Sequence, residues 1–182
     1  MSDRVRIDTP LTWAELNNGL YTAFSHGSRS SYWGVSAESS PYRDAAQLRT
    51  LLERVFSAPY PGDEARQLTR LGLSVAFSFH SPALEVLLDG RPAAARTDRV
   101  DDDVTVLFGE AAKAAPAPDL RFSMSGKAAH PFWTGALNIP AAMALGQVRL
   151  EGSLIRALSI APMMPAMQRV YRELWQAQSE TP

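Results

Sequence analysis

The side chains in this 182-residue chain that could do chemistry are three histidines, one acidic triplet and a few serines beside polar neighbours. His26, His80 and His130 lie far apart, without the H-x-x-x-H or H-E-x-x-H spacing that sets two imidazoles on one metal. Asp101-Asp102-Asp103 lacks the remaining ligands of a calcium loop and reads as a solvated charge cluster. There is no cysteine, which excludes disulfides, thiolate metal sites and Cys nucleophiles together. Ser25-His26-Gly27-Ser28 puts serine beside histidine, but no G-x-S-x-G elbow presents a nucleophile. Ser125-Gly126-Lys127 ends like a phosphate-binding loop. It fails the pattern, because Arg121 stands where the first glycine belongs and Ala128 where Ser or Thr belongs. No G-x-G-x-x-G opens a helix, so a dinucleotide has no support. The expectation is a protein with no metal and no cofactor. If it is an enzyme, His80 and His130 are its acid/base groups, with Tyr32 and Tyr42 as further candidates. The simpler reading of each histidine is a surface or capping residue, since no carboxylate partner is identifiable.

Composition narrows the class. Apolar residues make up 46% of the chain and charged residues 20%, enough apolar content to offset chain entropy and build a core. A formal net charge of −1 supplies no field for nucleic acid. No apolar run approaches the length of a membrane span, so no integral membrane segment is expected. The opening Met-Ser-Asp-Arg-Val-Arg-Ile has no apolar stretch of a secretory signal, and a cytoplasmic location is the expectation.

The elements that must position any site change period along the chain. Thr12 is an N-cap for a helix through Phe24, with Trp13, Leu16, Leu20 and Phe24 on one stripe. Residues 25–42 are serine-rich and read as a loop. Asp44 to Phe56 and Asp63 to Leu71 read as helices, the second closed by Gly72. From Leu73 the pattern alternates: Val75, Phe77 and Phe79 against Ser74, Ala76, Ser78 and His80. Alternation returns at Leu84–Leu88, Val104–Phe108, Leu120–Met124 and Val148–Leu150, giving five strands. Ser81-Pro82 suits a tight turn between the first two strands, Arg91 to Asp103 a loop, and Ala111 to Pro118 a connection. A short helix is expected within Ser125–Thr134, limited by Pro131, and another from Pro140 to Leu145. A third carries Leu154, Ile155 and Leu158. The last runs from Pro165 to about Gln178, with Met167, Val170, Tyr171, Leu174 and Trp175 as its stripe.

Glycine spacing adds a family resemblance. Gly135, Gly146 and Gly152 punctuate the run from Phe132 to Ser153, where a helix, a second helix and a short strand each end on a glycine. Together with the preceding strands, residues 73–165 resemble the sterol carrier protein 2 (SCP2-like) family. The run departs from the usual pattern in two places: Ile139 separates Asn138 from Pro140, and Pro131 lies within the first helix. The resemblance implies an α/β (α+β) fold: a five-stranded mixed sheet covered by helices, here with a helical N-terminal extension. It places the extension at residues 1–72 and an apolar-ligand domain at 73–178. It also implies an internal tunnel for a sterol, fatty acyl or isoprenoid-like ligand. From pattern, the lining candidates are Phe108, Phe122, Met124, Trp133, Met143, Met163, Met164, Met167, Tyr171 and Trp175. Methionine is unbranched and soft, so it suits a site that adapts to varied apolar shapes.

Two functions follow. The first is non-catalytic binding or carriage of a hydrophobic small molecule or lipid. The alternative is a cofactor-free enzyme of cyclase or isomerase type, working on a hydrophobic intermediate in the same cavity. Nucleic acid is not an expected partner. A protein partner docking through the N-terminal helices is compatible with either function.

Overall fold

The structure is a computed structural model and describes residues 40–62, 66–92 and 104–179. The helix expected from Thr12, most of the serine-rich loop, His26, Tyr32 and most of the loop from Arg91 to Asp103, with its acidic triplet, lie outside the described residues.

The helix Ala45–Phe56 (α1) begins where the sequence expects it. The Asp44 carboxylate accepts from the Gln47 amide at 2.8 Å and so satisfies one first-turn donor. Leu48, Leu51, Leu52 and Val55 form its buried side. A short helix, Gln67–Leu71 (α2), ends on Gly72 in the left-handed region. Five strands follow: Ser74–His80 (β1), Leu84–Asp89 (β2), Thr105–Phe108 (β3), Leu120–Ser125 (β4) and Val148–Gly152 (β5). Their order in the sheet is β3-β2-β1-β4-β5. β1 is central, antiparallel to β2 and parallel to β4, while β3 and β5 pair antiparallel at the edges. This is the five-stranded mixed sheet of the sequence expectation.

Helices between and after the strands are Glu110–Ala114 (α3), Gly126–Thr134 (α4), Ile139–Ala144 (α5), Leu154–Ser159 (α6) and Met164–Ser179 (α7). The core between sheet and helices takes side chains from β1, β2, β4 and β5, from α1 and α2 before the sheet, and from α4 and α7 after it. Residues 37–182 cluster as one compact unit. Among the described residues no helix is long and apolar enough to cross a membrane.

Four local expectations are corrected. The Ala/Pro-rich connection contains α3, since Glu110, the alanines and Lys113 are good helix formers before Pro116. Pro131 does not shorten α4, which runs nine residues through it. The helix tolerates the lost amide because Ala128, Ala129, Phe132 and Trp133 are buried on one side and hold it by packing. Alternation on β1 and β2 is incomplete: Ala76 and Leu87, partners across the sheet, are buried along with the core-facing set. α6 carries Leu154, Ile155 and Leu158 as expected but buries none of them, and Ile155 is 79% exposed.

The glycines of the signature do what their spacing implies: Gly135, Gly146 and Gly152 have φ of 80, 71 and 113°. Gly126 is needed for another reason. A Cβ there would sit 2.5 Å from both the Ser81 carbonyl and the Ser40 hydroxyl, so the start of α4 packs directly onto the β1–β2 turn.

A polar staple joins β1, β4 and α6. Asp119 Oδ2 accepts from the Ser74 amide and hydroxyl at 2.9 Å each, and Arg156 donates to Oδ1 at 2.8 Å. Burial alone raises the Asp119 carboxyl. The two Ser74 bonds and the Arg156 and Arg91 charges outweigh it, and the group titrates below its ordinary value. Because Ser74 is fully buried, Asp119→Ala orphans its amide and should cost about 1–3 kcal/mol in urea unfolding. Arg156→Ala should cost under about 1 kcal/mol, since that side chain is 56% exposed. Equal losses in the two variants would show that the ion pair, and not the Ser74 bonds, holds the staple.

Candidate functional site

The core-facing side of the sheet is a row of aromatic and aliphatic side chains set by strand register. Parallel pairing of β1 with β4 brings Val75 beside Leu120, Phe77 beside Phe122 and Phe79 beside Met124. Phe77 stacks on Phe122 at 5.6 Å and on Phe79 at 6.2 Å between ring centroids. Across from them, α4 lays down Phe132 and Trp133, and α7 lays down Met164, Met167 and Tyr171. Ser125 starts α4 by accepting from the Ala128 amide, and the end of α4 is tied to α7. Gln168 donates to the Phe132 carbonyl at 3.0 Å, beside the Gly135 amide, and Arg172 donates to the Thr134 carbonyl at 2.8 Å.

The structure gathers all ten lining candidates into one cluster. Phe122, Met124, Trp133, Met163, Met164, Met167 and Tyr171 are buried within it, and Phe108, Met143 and Trp175 pack against it half-buried. Phe108 is tilted against Phe56 and covered by the Arg49 guanidinium at 5.2 Å. A polar groove of about 590 Å³, formed by Arg43, Asp44, Ala46, Gln47, Thr50 and Gln178, shares no residue with the cluster.

Two polar features stand out inside this apolar layer. Trp133 is fully buried, against Phe77 at 5.1 Å, Phe132 at 5.3 Å, Phe56 at 5.7 Å and Tyr171 at 6.4 Å. Its indole Nε1–H has no hydrogen-bond acceptor, and among the described residues it is the buried side-chain donor left so. The second feature is a chain of three groups, from the segment before α1, from α7 and from α4. The Tyr42 and Tyr171 hydroxyls are 2.7 Å apart, and Tyr171 is 2.9 Å from His130 Nδ1. Trp175 covers His130 at 4.4 Å and stacks on Tyr171 at 6.2 Å. Burial pushes both phenols well above their ordinary range, so they stay protonated wherever the protein is folded. Burial also lowers His130 from its ordinary value, favouring neutral imidazole.

The two candidate histidines are not brought together. His80 ends β1 exposed, and among the described residues no hydrogen bond or ring contact joins it to His130. Tyr42 and His130 carried acid/base potential in the sequence, and Tyr171 was a lining candidate. Their joining was invisible, because Tyr42 and Tyr171 lie 129 residues apart. Among the described residues no group of three or more His, Asp or Glu side chains could hold a metal.

A lowered His130 means that the unfolded chain binds its proton more readily than the fold does. Stability is then fully present above the ordinary value of 6.5 and falls as pH drops from there toward the folded value. Thermal unfolding between pH 7.5 and 5.5 should show this decline. His130→Asn, whose amide oxygen can still accept from Tyr171, should flatten it. Equal slopes in both proteins would assign the decline to another group.

No family model matches the sequence, and no match was found among curated proteins. Solved structures are similar at low identity. The apo form of sterol carrier protein 2 from Yarrowia lipolytica is 14% identical over 66% of this chain and 89% of its own, with a TM-score of 0.48. The sterol carrier protein domain 2 of Helicoverpa armigera is 13% identical over 74% of this chain and 94% of its own, with a TM-score of 0.46. A ubiquinone synthesis protein with an SCP2 domain is 16% identical over 66% of this chain and 88% of its own, with a TM-score of 0.44. Many of the solved structures similar to this chain are thus sterol carrier protein 2 domains, the family whose glycine pattern the sequence resembles.

Proposed function

We propose that this protein binds an apolar small molecule or lipid in the layer between the sheet and helices α4 and α7, and does no chemistry on it. One observation carries the reading. The fold buries the Trp133 indole N–H without an acceptor, at a cost of about 1–3 kcal/mol, in the middle of a methionine- and aromatic-lined layer. An oxygen on a bound molecule relieves that cost. Binding itself comes from desolvation: each buried methylene contributes ~0.8 kcal/mol, so a ten-carbon chain gains ~8 kcal/mol before the costs of association. Met163, Met164 and Met167, grouped where the last helix begins, supply side chains that can move aside without leaving rotamer minima. In this reading residues 73–178 are the binding body, and α1 covers it through Leu48, Leu51, Leu52 and Val55.

A second reading, a cofactor-free isomerase or cyclase in the same layer, is favoured by the Tyr42–Tyr171–His130 chain, since a half-buried imidazole on a hydroxyl relay is an acid/base device.

Denaturing extraction of purified protein, followed by mass spectrometry, should release a stoichiometric sterol-, acyl- or isoprenoid-like species. Trp133→Phe keeps an aromatic ring but removes the N–H, and should weaken an oxygen-bearing ligand about tenfold. An empty extract, with no quenching of tryptophan fluorescence by sterol or acyl probes, would overturn the binding reading.

A further inference from the structure

The protons of the Tyr42–Tyr171–His130 chain can be placed by counting acceptors. Tyr42 and Tyr171 are 3% and 0% exposed, so each hydroxyl proton needs an acceptor inside the protein. Among the described residues Tyr42 has the Tyr171 oxygen within reach, and Tyr171 has the Tyr42 oxygen and His130 Nδ1. One arrangement satisfies both: Tyr42 donates to Tyr171, and Tyr171 donates to Nδ1. If Nδ1 carried a proton it would donate to the Tyr171 oxygen, and one of the two phenol protons would lose its acceptor. The same holds for the imidazolium, which is protonated on both nitrogens. The relay therefore selects one neutral tautomer, with the proton on Nε2. That nitrogen has no protein partner among the described residues.

His130 and Trp133 are three residues apart on α4, a spacing that puts both side chains on one helix face. Both flank the Tyr171 ring, His130 at 5.8 Å and Trp133 at 6.4 Å. The face thus presents two neutral N–H donors: Trp133 Nε1, buried without an acceptor, and Nε2 of the half-buried His130, without a protein acceptor among the described residues. The rings around them, Tyr42, Phe56, Phe77, Phe132, Tyr171 and Trp175, carry no charge.

We infer that the α4 face bearing His130 and Trp133 is a head-group site for an uncharged oxygen, so that the ligand is an apolar alcohol, ketone or ester and not a free carboxylic acid. The inference rests on the binding reading above and narrows it. A hydroxyl or carbonyl oxygen accepts from neutral donors at little cost. A carboxylate set among these uncharged rings would give up hydration for neutral donors, which costs free energy or forces the acid to protonate.

The test uses the full chain at neutral pH and four molecules of one chain length: hexadecanol, its methyl-ketone analogue, hexadecanoic acid and hexadecane. Each competes with a fluorescent apolar probe. The alcohol and ketone should bind at least tenfold tighter than the acid or the alkane. His130→Asn keeps an acceptor for Tyr171 and loses the Nε2 donor. It should cost the alcohol and ketone about tenfold and leave hexadecane unchanged, with the unfolding midpoint checking that the fold survives. Nitrogen-15 spectra of the histidine rings give a readout independent of affinity. His130 should be the Nε2–H tautomer before ligand, and its Nε2 resonance should move with hexadecanol and not with hexadecane. An Nδ1–H tautomer, an imidazolium at neutral pH, or an acid that binds as well as the alcohol would overturn the inference. Equal binding of all four molecules would overturn it and leave apolar binding standing. Failure of the probe and all four molecules to bind would overturn both.

Discussion

Burial of Phe77 on the central strand is the constraint from which the rest of the fold follows. β1 has a neighbour on each side, so its core face can only be covered from above. Phe77 meets Phe79 and Phe122 along the sheet and Phe132 and Trp133 from α4. That contact sets the height of α4, and α4 in turn sets α7, because Gln168 and Arg172 on α7 bind its terminal carbonyls. The parallel pairing of β1 with β4 is equally bound to it. A one-residue slip would turn Phe122 and Met124 to the far face and leave Phe77 beside polar side chains. A buried aromatic stack is thus the fixed floor on which the helix layer rests, and the methionines of that layer are its most adaptable part.

How much of this could be read from the sequence follows from the range of the interactions. Period-two alternation depends on neighbours two residues apart, so all five strands were legible, as were the start of α1 near Asp44 and the glycine stops at Gly72 and Gly135. That the sheet is mixed was legible only through the resemblance, and the strand order was not legible, because nothing local says that β1 pairs with β4 across an intervening hairpin. Pro131 misled because propensity is a local quantity, while α4 is held by tertiary packing of Phe132 and Trp133. Ala76 and Leu87 broke the alternation because they sit on inner strands, where the second face is also shielded.

The candidate site divides in the same way. The apolar members could be gathered from composition and helical stripes, since any buried apolar residue near the sheet tends to join one core. The polar members could not. Tyr42 precedes α1, His130 is in the middle of α4 and Tyr171 is in α7, so their alignment exists only once three elements are docked. The missing acceptor at Trp133 is harder still to foresee, because it is a property of everything around the indole and of no residue by itself.

The proton arrangement also bears on the choice between carrier and enzyme. A general base needs a free lone pair aimed at a substrate proton. In the inferred arrangement His130 has its lone pair on Nδ1, 2.9 Å from the Tyr171 hydroxyl, and its proton on Nε2. To act as a base at Nε2 it would have to exchange tautomers, which leaves a buried phenol proton without an acceptor at a cost of about 1–3 kcal/mol. The two phenols do not substitute for it, since burial holds both hydroxyls protonated. As a donor, by contrast, the imidazole is already in its working form and loses nothing on meeting an oxygen. In the inferred proton arrangement, the same three groups that first suggest acid/base chemistry are better suited to donating to a neutral oxygen than to accepting a proton. Turning this layer into an active site would take a base that lies outside the Tyr42–Tyr171–His130 chain.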